Sequence, residues 1–238
     1  APWRDLIAWP GLAAALRLTV TTALLSTGLS LACALLIVAA WQGTAAFRLI
    51  ERALSPLLSV PHAAAAFGLA FLIAPSGWVM RWLSPWATGL ERPPDVLMVG
   101  DPWGLSLVAG LVIKETPFLL LMILAALPQV EARRGLLFAR ALGHGRVTAW
   151  FKVVLPQVYP QIRLPVLAVL AYSASAVDVA AILGPVAPPP LAVQITAWTN
   201  DPDLASRFTA AAAATLLLAL TLALVTLWLA AERAVAVP

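Results

Sequence analysis

Three charged residues, Lys114, Glu115 and Asp178, lie inside stretches of sequence that are otherwise apolar. Charges inside a membrane are costly, and they usually face the interior of a helix bundle or a wet cavity. Adjacent residues project about 100° apart on a helix, so Lys114 and Glu115 are poorly placed to pair with each other. Each is expected to need a partner on another helix or water, and Asp178 is one candidate for Lys114. Interhelical contact and a place on a translocation path both remain open for these residues.

The remaining candidate functional residues carry hydroxyl, imidazole or thiol groups. Ser173 and Ser175 follow a tyrosine and could offer hydroxyls to a solute, although serines also pack helices closely. His62 and His144 are isolated in the sequence, and no metal site is predicted from them. The single cysteine, Cys33, lies in an apolar run and is interpreted as an inert small hydrophobe.

The segment from Ala139 to Pro156 carries another pattern. Its apolar residues follow helical spacing and predict one apolar face, formed by Ala139, Leu142, Val147, Trp150, Phe151 and Val154. Gly143 and Gly145 are expected to bend or split that helix, and Leu155-Pro156 marks a break before the next apolar segment. Such a segment offers a face to a partner or lies on lipid headgroups, and the spacing does not choose between them.

The composition and the lengths of the apolar segments predict which secondary-structure elements position these residues. Of 238 residues, 62% are hydrophobic and 11% charged, against roughly 45–50% and 25% in soluble domains. About five segments approach the roughly 20 apolar residues of a spanning helix. We therefore predict an all-α membrane protein with residues 1–238 forming a single transmembrane domain. The segments run from about Leu18 to Ala40, Leu57 to Ala74 with Pro61, Gly104 to Leu127 with Pro117, Ile162 to Leu183 with Pro165, and Phe208 to Ala230.

The basic residues set an orientation. Lys and Arg are more frequent in the segments 41–56 and 128–161 and in the C-terminal tail than on the opposite side. By the positive-inside rule these parts are cytoplasmic and the N-terminus is external. Because the basic residues lie between apolar segments, the formal charge of +4 indicates membrane lipid rather than nucleic acid as a partner. Residues 1–9 are predicted to lie at the interface, and the absence of an initial Met suggests a chain trimmed or cut from a longer polypeptide.

The segment near Pro156 resembles the EAA motif of permease subunits of binding-protein-dependent ABC importers. That motif has a leading Glu-Ala-Ala, then a glycine, an aliphatic residue and Leu-Pro, and here the last three elements correspond to Gly143, Val153 and Leu155-Pro156. The leading positions are Leu137, Phe138 and Ala139, so the glutamate is absent. Other segments look like parts of the thiamine, iron, sulfate and polyamine branch. They are Pro56–Pro61, Lys114–Phe118 and Val177–Pro185.

This resemblance implies a type I importer permease in the bacterial cytoplasmic membrane. In that family two membrane halves (identical, different or fused) pair above an ATP-binding subunit dimer, and a solute-binding protein docks outside. The chain would have no catalytic residues and bind no cofactor, with ATP and Mg held by the partner, and no phosphate-binding loop motif occurs in the sequence. The loop near 137–156 would couple to the ATPase. The residues expected to serve that coupling are Leu137, Phe138, Ala139, Leu142, Gly143, His144, Gly145, Val153, Leu155 and Pro156.

A secondary transporter and an intramembrane enzyme are the alternative classes of function. A secondary transporter could use Lys114, Glu115 and Asp178 as ion or proton relays, although no inverted repeat is visible. An intramembrane enzyme would need paired carboxylates, a histidine cluster or a Ser-His arrangement, and none supports that interpretation. Under the preferred hypothesis, the candidates for the solute path are Lys114, Glu115, Ser173, Ser175 and Asp178. The solute itself stays unassigned.

Overall fold

The computed structural model describes residues 2–236, and within that range the chain forms helices, turns and loops without a strand. The fold class predicted from the sequence, an all-α chain, is confirmed. The α-helices of the described part are α1 (Pro2–Ala8), α2 (Leu12–Trp41), α3 (Ala45–Ser59), α4 (His62–Ile73), α5 (Trp78–Leu83), α6 (Leu105–Ala126), α7 (Ala132–Ala141), α8 (Arg146–Val153), α9 (Leu155–Ser175), α10 (Asp178–Leu183), α11 (Leu191–Thr199) and α12 (Ser206–Ala236).

Within residues 2–236, four stretches of helix are long and apolar enough to cross a membrane, and a bent pair of helices makes a fifth if the pair forms one span. The predicted first, third and fifth segments correspond to Leu12–Trp41, Leu105–Gln129 and Ser206–Ala234. The first and fifth extend beyond the predicted bounds because their ends carry helix-compatible residues that a hydropathy window excludes, and the third agrees with its predicted bounds to within two residues. The bent pair is α8 followed by α9, at an angle of 66°.

The predicted second segment, Leu57 to Ala74, is wrong as a continuous helix. Helix α3 ends at Ser59, Val60 is extended, and Pro61 precedes α4. Proline lacks an N–H and disfavours helical geometry in the residue before it, so the apolar run is divided between two helices. The candidate span is instead His62–Leu83, which joins α4 and α5.

The predicted fourth segment, Ile162 to Leu183, is also wrong at both ends. Helix α9 begins at Leu155 and ends at Ser175. Pro156 falls in its first turn, where a proline needs no hydrogen-bond donor. Asp178, expected in the outer half of this span, begins the separate helix α10 and is exposed.

The chain divides into two compact units. Unit 1 contains the described residues up to Ser26, Pro61–Leu111 and the residues from Leu170 onward. In it α1 packs against α12, and Leu6 is buried in a core with Leu191 and Ala213. Leu6 of the N-terminal stretch, which was predicted to be interfacial, thus joins a protein core, whereas Trp3 and Ile7 of the same stretch are exposed. Helix α11, in a region predicted to be a connection, contributes to that core.

Unit 2 comprises Thr27–Val60 and Val112–Val169. It holds the second half of α2, the amphipathic helix α3, most of α6, and helices α7 and α8 together with most of α9. Its buried side chains include Phe47, Leu54, Leu119, Ile123 and Trp150. Unit 2 thus contains both Lys114 and the EAA-like segment that the sequence analysis singled out.

Candidate functional site

The EAA-like segment is a pair of helices separated by a glycine turn. Gly143 has a φ of 85° and follows the end of α7, and the N–H of His144 donates to the carbonyl of Ala139 at 3.1 Å. This is the Schellman arrangement, in which a left-handed residue closes a helix. Gly145 then precedes the first residue of α8. The expectation that the two glycines bend or split the helix is confirmed.

Helices α7 and α8 pack closely because Gly135 has no side chain. A Cβ added at Gly135 would collide with Cγ1 of Val153. Val153 was expected to serve coupling as the aliphatic residue of the motif. The structure places it between the two helices, where it supports their packing.

Two side chains of α8 attach this pair to the end of α2. Arg146 donates from Nε to the carbonyl of Ala39 at 3.3 Å and from Nη2 to the carbonyl of Gln42. Trp150 is buried and its Nε1 donates to Oε1 of Gln42 at 3.2 Å. Trp150 thus combines a buried ring with a side-chain hydrogen bond to the residue that follows α2.

Sequence reasoning missed the role of Arg146. A signal was present, because a positive charge in the first turn of a helix is unfavourable in the field of the helix dipole. An arginine at that position therefore indicates a stabilising contact with another part of the fold. The acceptors carried no signal, since backbone carbonyls are present at every residue.

The predicted single apolar face of this segment is wrong. Ala139, Trp150 and Val154 are buried, whereas Leu142 is 79% exposed and Val147 is exposed too. The predicted face required one continuous helix, but the turn at Gly143 changes the helix direction between Leu142 and Val147, and the two residues that flank the turn are exposed. The result is an exposed apolar surface on α7 and its end, formed by Leu137, Phe138 (74% exposed) and Leu142.

A cavity of about 520 Å³ lies next to this surface. It combines apolar walls with two guanidinium groups, so it can accept a side chain or ligand that carries both apolar and acidic character. Its lining includes Leu127, Val130, Leu136, Leu137, Arg140 and Arg146.

Lys114 is buried in the middle of α6, with 6% of its surface exposed. Its Nζ donates to the carbonyls of Leu57 at 2.9 Å and Val60 at 2.6 Å, at the end of α3. The expectation of a partner on another helix is confirmed, but the described partners are backbone carbonyls rather than Asp178. Glu115, the next residue, is also buried.

The other candidate path residues lie in unit 1. The Tyr172 hydroxyl donates to Oδ1 of Asp178 at 3.3 Å, and the Tyr172 ring lies 4.9 Å from that of His62. Ser175 is exposed and bonds to Ala171 of its own helix. Ser173 is buried, and its hydroxyl has no hydrogen-bond partner among the described residues. Tyr172 and Asp178 are thus brought together, whereas Ser173 and Ser175 have different environments.

A further charged residue caps α6. Asp101 accepts hydrogen bonds from the N–H groups of Trp103, Leu105 and Ser106 and from the Ser106 hydroxyl, at 2.8 to 3.1 Å. Burial raises the pKa of the Asp101 carboxyl, but these hydrogen bonds outweigh burial and hold the pKa below its ordinary 3.8. Asp101 was not among the predicted site residues, although aspartate shortly before an apolar run is a typical capping signal.

Two buried hydroxyls of α2 were also missed. Thr27 and Ser30 are fully buried, and neither hydroxyl has a partner within residues 2–236. Their spacing of three residues, which places both on one side of a helix, was the available signal. In the same range no group of three or more His, Cys, Asp or Glu side chains is arranged to hold a metal ion.

Comparison with known proteins gives one informative similarity. No protein-family model matches the chain. The chain is 36% identical over 222 residues to the inner membrane ABC transporter permease protein YnjC of Escherichia coli (strain K12). The match covers 93% of this chain and 41% of that relative, so the chain spans about two-fifths of the relative's length. Over nearly its whole length, this all-helical chain with four or five candidate spans is similar to part of an ABC transporter permease.

Proposed function

We propose that the chain is the transmembrane subunit, or one module, of an ABC importer in the bacterial inner membrane. It forms half of the solute path and couples through residues 137–156 to a separate ATP-binding subunit dimer, which holds ATP and Mg. The chain itself is non-catalytic. The observation that carries this proposal is the exposed apolar surface of Leu137, Phe138 and Leu142 on a helix pair that is fastened to a membrane span.

Exposed apolar side chains favour a protein partner at this surface. Burial of a large apolar side chain contributes about 1.5–3 kcal/mol, so three of them can support stable docking. Arg140 and Arg146 line the adjacent cavity and provide charge complementarity for an acidic group of the ATP-binding subunit. The motif glutamate is absent, so apolar contact carries more of the interaction here.

The attachment of α8 explains how docking could drive transport. Arg146 and Trp150 connect α8 to Gln42 at the end of α2, and α8 continues into α9 through a bend. A rigid movement of the helix pair, imposed when the ATP-binding subunits close, is therefore passed to two spans.

The arrangement in the membrane and the other partners follow from the same proposal. The basic segments, including α7 and α8, face the cytoplasm with the C-terminus, and the N-terminus is external. A solute-binding protein then docks on the outer side, and a second permease half completes the path. Because the match covers 41% of the relative, we propose that this chain corresponds to one module of a longer two-module permease.

Co-purification tests the proposed coupling. In the full-length protein extracted from native membranes, Phe138→Asp with Leu142→Asp is expected to lower recovery of the ATP-binding subunit at least about tenfold, because two apolar contacts are lost. Val186→Asp is the matched control, since Val186 is 85% exposed and lies between α10 and α11. Equal recovery with the double variant, or no ATP-binding subunit with the parent protein, would contradict the proposal.

A further inference from the structure

The last turn of α3 has a carbonyl that no backbone N–H can serve. In a continuing α-helix the carbonyl of Leu57 accepts the N–H of residue 61. Residue 61 is proline and has no N–H, and Val60 before it is extended, with φ −68° and ψ 125°. The carbonyls of Leu57 and Val60 therefore need donors from outside the helix.

Lys114 supplies those donors. Its ammonium lies 2.9 Å from the Leu57 carbonyl and 2.6 Å from that of Val60. A cation at this place also complements the negative end of the α3 dipole. Because Lys114 is buried at the middle of a candidate span, no bulk water is available to replace it.

The opposite end of α3 lies beside the attachment point of α8. Thr44 caps the start of α3, with its Oγ1 accepting the N–H of Phe47 at 3.2 Å, and Gln42 lies two residues earlier. Gln42 is the residue that Arg146 and Trp150 contact. Phe47 and Leu54 of α3 are buried, so the helix is held along its length as well as at both ends.

We infer that Lys114 is a positioning residue that replaces the N–H missing at Pro61 and so fastens the end of α3 to α6. Helix α3 thereby forms a rigid connection of about 22 Å between the α7–α8 pair and the middle of α6. Movement of the pair is transmitted to α6 through α3. The inference deepens the proposed coupling and rests on it for its functional part, whereas the hydrogen-bond replacement stands independently. It assigns Lys114 to transmission rather than to solute binding.

A rescue experiment tests the inference in the full-length protein with its native partners. Lys114→Met removes both donors, and we expect about a tenfold loss of transport together with a lower melting temperature. Adding Pro61→Ala supplies a backbone N–H that the Leu57 carbonyl can accept as α3 extends past Val60, and it is expected to recover part of both losses. Pro117→Ala is the matched control, because it restores an N–H elsewhere in α6 and should recover neither.

The readouts separate this role from others. If Lys114 positions α3, Lys114→Met lowers the transport rate at unchanged solute KM and retains the ATP-binding subunit, and Lys114→Arg keeps more transport than Lys114→Met. Failure of Pro61→Ala to raise the melting temperature of Lys114→Met, or a raised KM that Pro61→Ala does not correct, overturns the inference. Melting of the protein without its ATP-binding subunit tests the hydrogen-bond replacement even if the proposed coupling fails.

Discussion

Two basic side chains of unit 2 hold the C-terminal end of a helix in the same way but in different surroundings. Arg146 donates to the carbonyls of Ala39 and Gln42 where α2 ends, and it is exposed. Lys114 donates to the carbonyls of Leu57 and Val60 where α3 ends, and it is buried. Each cation complements the negative end of a helix dipole.

The difference lies in what replaces the donor when it is lost. The guanidinium of Arg146 is exposed and can exchange its partners for water, so its hydrogen bonds contribute little net free energy. Lys114 is buried in the middle of a candidate span, where bulk water does not replace its ammonium, so its loss leaves the carbonyls of Leu57 and Val60 without these donors. The same pair of hydrogen bonds therefore has a larger effect on stability at Lys114 than at Arg146.

Replacing each cation by leucine gives the largest expected effect and tests the comparison directly. Lys114→Leu should lower the free energy of unfolding by about 2–4 kcal/mol, because two carbonyls beside the middle of a membrane span lose a buried charged donor. Arg146→Leu should lower it by about 1 kcal/mol, because water compensates. Thermal unfolding of both variants in one detergent measures the difference, with the exposed Arg140 of α7 changed to leucine as the control. Equal losses for Lys114 and Arg146 would show that burial does not distinguish the two sites.

Substitution of Gly143 tests the geometry of the turn between α7 and α8, the helix that carries Arg146. Gly143→Ala places a side chain at a φ of 85° and should cost about 1–2 kcal/mol locally. We expect weaker binding of the ATP-binding subunit, because Leu142 would no longer be held in its place next to the turn. Gly145→Ala is the control, since Gly145 has a φ of −62° and no neighbour within contact of an added Cβ. Binding lowered equally by both changes would indicate that the conformation of Gly143 is not the cause.

Asp101 is a negative charge at the N-terminal end of a helix, whereas Lys114 and Arg146 are positive charges at C-terminal helix ends. Substitution of Asp101 is expected to have a smaller effect on stability. Asp101→Asn removes the acceptor used by the N–H and hydroxyl of Ser106 and should lower stability by about 1 kcal/mol at pH 7. The folded-state pKa of Asp101 lies below 3.8, so its contribution is present above 3.8 and is lost as the pH falls through the folded-state pKa. The difference in melting temperature between parent and variant should therefore shrink between pH 7 and pH 3. A difference in melting temperature that does not change with pH would show that ionisation of Asp101 is not the cause. The control is Asp95→Asn, because Asp95 is an exposed residue in the same connection between α5 and α6.

Local patterns predicted much of the fold. Apolar runs of sufficient length indicated the spans at Leu12–Trp41, Leu105–Gln129 and Ser206–Ala234, because lipid requires about 20 apolar residues in a helix. The Gly143 and Gly145 pair predicted the division between α7 and α8. Pro61 was placed inside a span because hydropathy averages over a window and does not register a missing N–H.

The candidate site was predicted only in part. Composition marked Lys114 and Glu115 as intramembrane charges that need partners, and the structure identifies acceptors for Lys114. The expectation for Asp178 failed because the break after Ser175 separates it from the span. The exposed surface of Leu137, Phe138 and Leu142 was predicted as a coupling segment, but which of its side chains are buried depended on how α7 and α8 pack.

The sequence by itself determined what depends on near neighbours: the apolar spans, the glycine turn and the Asp101 cap, whose partners lie within five residues. Only the tertiary structure decided what holds the ends of α2 and α3. Lys114 lies 57 residues from Leu57, and Arg146 lies 104 residues from Gln42. The acceptors there are backbone carbonyls, which every residue has. Pro61 does mark the Leu57 carbonyl as lacking its helical donor, but no sequence pattern shows which cation folding brings to it.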